Sequence, residues 1–132
     1  MGFLDRFASP LLSILRIMSA LLFMAHGTGK LFQFPPVEQF PTGPAPFTLV
    51  WFAGVLELAG GALMALGLLT RPVAFLLAGE MAAAYWIAHA PRAFYPIQNG
   101  GELAIMFCFV FLYIAAAGGG AWALDNIVFK KR

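Results

Sequence analysis

Charge is what this sequence has least of. Only 11% of its 132 residues are Asp, Glu, Lys or Arg, against 61% hydrophobic, where an average globular domain is about a quarter charged and roughly half apolar. A chain this short leaves much of its surface outside any core, and so few charges cannot coat that surface in water. An ordinary soluble domain is excluded. Lipid, which tolerates apolar side chains on every outward face, is the solvent that fits. Cysteine is nearly absent too: a lone Cys108 can form neither an internal disulfide nor a CxxC pair, so any redox role needs a cofactor or a partner. The formal net charge of +2, spread along the chain, excludes a nucleic-acid surface. No HExxH or HxxxH spacing supports a metal site, and no metal is expected. No internal repeat is evident. No small-residue cleavage site follows the segment from Met1 to Pro10, so the first apolar stretch reads as a retained helix and not as a signal peptide.

What the sequence does have is long apolar runs. A helix needs about 20 residues to span the hydrocarbon, and four runs approach that length, at about 11–32, 47–69, 72–90 and 101–118. The expected fold is all-α: a single domain over 1–132, an integral membrane antiparallel four-helix bundle. Pro72 falls in a first turn, where its missing N–H costs nothing, and Pro91 blocks continuation. Gly118, Gly119 and Gly120 favour termination. Thr70 and Arg71 leave room only for a tight hairpin, making the second and third helices antiparallel neighbours. The loop at 33–46 holds five of the nine prolines, which forbid helix and favour extended structure; with Phe34, Phe40 and Phe47 it reads as an ordered external cap, the alternative being a disordered tether.

Lys and Arg near the span ends set orientation. Arg6, Arg16, Arg71, Lys130, Lys131 and Arg132 would share one side, and Lys30 and Arg92 the other. That bias places both termini in the cytoplasm.

Charged side chains inside a bilayer cost about 2.5 to 3.5 kcal/mol on insertion scales, so each needs a partner or a purpose. On the first helix Arg16, Ser19, Phe23, His26 and Lys30 recur at helical spacing and form one polar face. The counter-charges are Glu57 and Glu80, both near the expected midplane, with Glu102 toward the outer side. Arg16, His26, Lys30, Glu57, Glu80, His89, Asn99 and Glu102 are therefore the candidate residues of a buried polar cluster that serves as a ligand or proton site, weighted to the outer half. Arg16 would snorkel or meet a midplane Glu. Paired charges that merely fix helix register are the competing reading. Asn99 and Glu102 also suit the start of the fourth helix, as cap and dipole partner. Gly54 and Gly61, with Ala53 and Ala65, suit close helix packing, and Tyr85 and Trp86 lie deep enough to line a cavity for a flat apolar ligand.

The runs His26-Gly27-Thr28-Gly29-Lys30-Leu31-Phe32, Glu57-Leu58-Ala59-Gly60-Gly61, Gly67-Leu68-Leu69-Thr70-Arg71, His89-Ala90-Pro91, Asn99-Gly100-Gly101-Glu102 and Trp122-Ala123-Leu124-Asp125, in this order, resemble the DoxX family. The resemblance implies a multi-pass four-helix protein of the bacterial cell inner membrane. It also implies a link to redox systems, since one relative is a subunit of an archaeal thiosulfate:quinone oxidoreductase and a mycobacterial member is linked to a membrane-associated oxidoreductase complex active in oxidative stress. More distant relatives act as a maturation protein, a cargo receptor and a receptor-assembly chaperone. The family supplies no agreed catalytic residues.

Three functions compete. The first is an accessory, non-catalytic subunit of a membrane oxidoreductase complex, with no intrinsic cofactor and a quinone as the candidate ligand. The second is an assembly or scaffold protein, and the third a small transporter, for which four helices are few without duplication. Expected partners are the lipid bilayer, redox-enzyme proteins and a second copy of the chain, with no nucleic acid.

Overall fold

The computed structural model describes residues 2–130, so Lys131 and Arg132, assigned above to the inner side, lie outside the described residues. Within them the chain is helical, with no strand. A short α1 (Gly2–Asp5) leads into α2 (Ala8–Phe32), followed by α3 (Leu49–Leu66), α4 (Thr70–Ala84), a π-helical turn (Tyr85–His89), the short α5 (Pro96–Asn99), α6 (Glu102–Ala117) and the short α7 (Asp125–Val128). The 25 residues of α2 rise about 37 Å. Helices α2 and α3 are long and apolar enough to cross a membrane, while α6 is shorter.

The boundaries follow from local chemistry. Helix α2 begins three residues earlier than expected because Pro10 sits in its first turn, where N–H groups have no helical acceptor to lose. It ends where Gln33 turns left-handed and its side chain donates to the Lys30 carbonyl at 3.0 Å. Thr48 caps α3, its hydroxyl accepting from the Trp51 amide, and Gly67 at φ 71° closes it, two to three residues inside the expected limits. The largest departure is in the third run. After Ala84 the α-helix widens into the π turn, and the Ala90 amide donates to the Tyr85 carbonyl at 2.8 Å. Widened turns of this kind recur at functional sites.

Helix α2 packs mainly on α3 and α4 mainly on α6; narrower contacts join α3 to α4 and α2 to α6. The α2–α6 contact is aromatic: the Phe23 ring lies edge-on to Phe107 and Phe111, at 5.3 and 5.0 Å between centroids. These rings join Ala20, Met64, Ala74, Leu77, Ala78, Met81, Ala104 and Ile114 in the core. Outward positions such as Leu22, Phe75, Leu76, Met106 and Phe109 are exposed, which is the reverse of a water-facing surface and suits a hydrocarbon solvent. The proline-rich loop folds back over one end of α2, with Val37 against Gly29 and the Phe40 ring 5.5 Å from the Lys30 ammonium.

At the opposite end three segments converge. The Ala121 amide donates to the Ser9 carbonyl, and the Leu124 and Asp125 amides donate to the Leu66 and Gly67 carbonyls. The start of α2, the α3–α4 turn and the chain after α6 therefore share one end, and Lys30 and the proline-rich loop lie at the other.

Candidate functional site

The close crossing of α2 and α3 builds the first part of the site. A Cβ at Gly27 would lie 2.8 Å from the Leu58 amide nitrogen and 2.9 Å from the Gly54 carbonyl oxygen, so only glycine lets the two backbones approach this far. One turn away on α2, Lys30 reaches Glu57, its Nζ donating to both carboxyl oxygens at 2.7 Å. The side chains are 15% and 3% exposed, and the Phe40 ring lies over the ammonium at cation–π distance.

Glu80 enters from α4. Both of its carboxyl oxygens are buried and neither has a hydrogen-bond partner, although its charge is within electrostatic reach of Glu57 and Lys30. Among the described residues Lys30 therefore pairs with Glu57 alone, and Glu80 is a second buried carboxyl without a bonded partner. His26 lies on the same side of α2, in reach of the Lys30 charge, with its ring edge-on to Phe107 at 5.9 Å. No three His, Cys, Asp or Glu side chains converge as a metal site among the described residues.

A second group forms where the π turn meets the start of α6. Asn99, 2% exposed, donates from Nδ2 to the Tyr85 hydroxyl at 3.2 Å and the Ala93 carbonyl at 3.1 Å, and its Oδ1 accepts from the Gly101 amide at 2.8 Å. Its own carbonyl lies 3.1 Å from His89 Nδ1, and the His89 ring stacks on Tyr85. Tyr85 also lines a groove of about 310 Å³ between α4, the π turn and α6, together with Met81, Trp86, Ile105, Cys108 and Phe109.

The eight candidate residues therefore do not form one network. Lys30, Glu57 and Glu80 come together with His26 beside them, and His89 and Asn99 form a separate group. Glu102 is exposed: Gly101 packs against the Tyr85 ring and Ala104 is buried, which turns position 102 outward. Arg16 neither snorkels nor meets a Glu. It is fully buried, about 21 Å along the helix from Lys30. There its Nη1 donates to the Met64 and Ala65 carbonyls at 2.5 and 2.6 Å, its Nε to Gly119 at 2.9 Å and its Nη2 to Trp122 at 3.4 Å. These carbonyls, two of them at the end of α3, have unused acceptor capacity and suit a buried cation.

Phe40, Ser13 and Asp125, none of them among the eight candidates, also take part. Ser13 donates to the Gly119 carbonyl and accepts from the Trp122 amide. The Asp125 carboxylate accepts from the Leu69 and Thr70 amides at 2.7 and 2.8 Å. One signal for Asp125 was present. The helix opening at Thr70 is preceded by Leu69, which offers no capping side chain, so its amides require an acceptor from elsewhere.

A sequence model of the DoxX family matches residues 11–90, which include Arg16, Lys30, Glu57 and Glu80. A Haemophilus influenzae (strain Rd) relative named "Uncharacterized protein" is 42% identical over 99% of this chain and 100% of its own length. A Bacillus subtilis (strain 168) relative named "Putative oxidoreductase CatD" is 28% identical, covering 90% of this chain and 87% of that protein. The Escherichia coli (strain K12) "Inner membrane protein YqjF" is 27% identical, covering 89% and 92%. No solved structure matches the chain. With the family match spanning most of the helical core, and a relative of equal length alongside it, this chain belongs to the DoxX family of membrane proteins.

Proposed function

We propose that this chain is an accessory subunit of a bacterial inner-membrane redox system, in which Glu80 holds and releases a proton beside a lipid-soluble carrier of the quinone class. The observation that carries this reading is Glu80 itself: Lys30 is paired with Glu57, and the carboxyl oxygens of Glu80 are buried without a donor. A buried carboxylate with neither counter-charge nor hydrogen bond is costly, so a proton or a donor brought by a ligand completes the group. The name of the Bacillus subtilis relative supports a redox setting.

In this reading α2, α3, α4 with its π turn, and α6 form a four-span antiparallel bundle within the single domain. Arg6, Arg16 and Arg71 gather at the end where the start of α2 meets the chain after α6, and Lys30 and Arg92 belong to the other. By the positive-inside rule the termini then face the cytoplasm, and the proline-rich loop lies outside.

The residues present fit a quinone. The groove beside Tyr85 and Trp86 is apolar and open toward the lipid, with space for one flat ring. The Tyr85 hydroxyl accepts from Asn99 and keeps its own proton to donate to a ring oxygen. A bound quinone supplies the electron carrier that the side chains lack. The chain's own part is to seat the ring in the groove and to keep a proton-holding carboxyl, Glu80, on the other face of the same helix.

Fluorescence tests this directly. In a Trp51→Phe, Trp122→Phe background the third tryptophan, Trp86, is the sole reporter, and a short-chain quinone is expected to quench it saturably. Filling the groove with Ala82→Phe abolishes saturation, and Glu80→Gln, expressed normally, loses protection against oxidative stress in cells. Unsaturable quenching together with full protection by Glu80→Gln favours the assembly reading, in which the Lys30–Glu57 pair only pins α2 to α3.

A further inference from the structure

At the end where the start of α2 meets the chain after α6, a half-open cleft of about 720 Å³ is lined by side chains of two kinds. Leu12, Leu69, Pro72 and Tyr113 form an apolar wall, and Arg71 and Asp125 stand on the polar side. Among the described residues these two unlike charges line one cavity without forming an ion pair with each other. Each is held in place by backbone instead. Arg71 is exposed, and its Nη1 and Nη2 donate to the last carbonyls of α6, on Ala115, Ala116 and Ala117; among the described residues its Nε–H has no hydrogen-bond partner. The Asp125 oxygens each take one amide hydrogen, and a carboxylate oxygen accepts about two. Thr70, wholly buried in the same wall, has a hydroxyl oxygen without a hydrogen-bond partner.

We infer that this cleft seats the headgroup of a zwitterionic phospholipid carrying a primary ammonium, its phosphate on Arg71 and its ammonium on Asp125. Three features select that ligand. A guanidinium with a free N–H suits a phosphate oxygen. A carboxylate with spare acceptor sites suits an ammonium with three donors, which a trimethylated headgroup lacks. The apolar wall includes Pro72, one turn before the exposed Phe75 on α4, where an acyl chain can run along the helix. A headgroup with phosphate but no ammonium would leave Asp125 facing an anion. The inference rests on the membrane character of the chain and is independent of its redox role.

The test uses the full chain in detergent, with lipid added back and binding read by native mass spectrometry and thermal melting. Phosphatidylethanolamine is expected to bind about tenfold more tightly than phosphatidylcholine of the same chains, with phosphatidylglycerol no better than phosphatidylcholine. Soluble phosphoethanolamine at high concentration competes only if the headgroup is the part recognised, and competition is expected. Asp125→Asn should erase the preference for ethanolamine over choline, while Arg71→Gln weakens both. Because both residues also hold helix ends, Ala121→Trp provides the fold control: it fills the cleft while keeping both charges. It should melt like the parent without lipid and lose the selectivity. Equal binding of the ethanolamine and choline lipids by the unaltered protein, or unchanged selectivity in Ala121→Trp, overturns the assignment.

Discussion

The ammonium of Lys30 lies 2.7 Å from both carboxyl oxygens of Glu57, so the two residues join α2 to α3 through a single buried pair. Removing one partner leaves the other charge stranded, which typically costs about 3 to 5 kcal/mol. Lys30→Met is expected to destabilise by about that much, and Lys30→Met with Glu57→Met by clearly less, because no orphan charge remains. Chemical denaturation of the singles and the double in detergent gives the coupling. An additive double would show that the pair contributes nothing as a pair.

Glu80 behaves in the opposite way. With no hydrogen-bond partner to lose, Glu80→Gln keeps the shape and removes the ionisable group, so its stability should stay within about 1 kcal/mol of the parent. A loss above about 2 kcal/mol would mean that the carboxyl has a structural partner, and the proposed proton role would lose its basis.

Arg16 joins three parts of the chain through backbone carbonyls on α3 and on the segment after α6. Arg16→Lys keeps the charge but not the planar set of donors, and is expected to cost about 3 kcal/mol. Hydrogen exchange should locate the damage, with faster exchange at the Trp122, Leu124 and Asp125 amides and little change in α4. Wild-type protection in Arg16→Lys would contradict this.

Asp125, outside the spanning helices, gives the pH dependence its sign. Burial works to raise its pKa, but the bonds from the Thr70 and Leu69 amides, with the Arg16 charge, outweigh it, and the net shift is downward. A carboxyl whose folded pKa lies below its unfolded value of about 3.9 stabilises the fold fully above that value and loses the contribution as pH falls through the folded pKa. Melting temperature should therefore drop on acidification below about pH 4. In Asp125→Asn this part of the acid loss should vanish, from a lower starting stability. An identical acid profile in the two proteins would rule this cause out.

Much of the fold was legible because lipid solvent and chain breakers leave strong marks. The glycine run after Ala117 and the prolines of 33–46 each placed a boundary within a few residues of its position, and the hairpin expected at Thr70 and Arg71 lies just before them, at 67–69, because these two residues already form the first turn of α4. The site was legible in angle but not in height. Periodicity assigns Arg16 and Lys30 to one face of α2, yet about 21 Å separates them along the axis, so one face carries two unrelated tasks. The π turn was hidden because it goes with contacts among Tyr85, Asn99 and Gly101, which come from separate elements. The outward turn of Glu102 was hidden for the same reason.

The bonds around Arg16 also bear on the order in which the chain is made. Two of its four carbonyl acceptors belong to Gly119 and Trp122, more than a hundred positions downstream, and Ser13 awaits the same two residues. While the ribosome is still supplying α3 and α4, the guanidinium has at most the α3 carbonyls to satisfy it. Locking of this end therefore waits until the segment after α6 has been made, and a chain truncated before Gly119 would leave its buried cation with the α3 carbonyls alone.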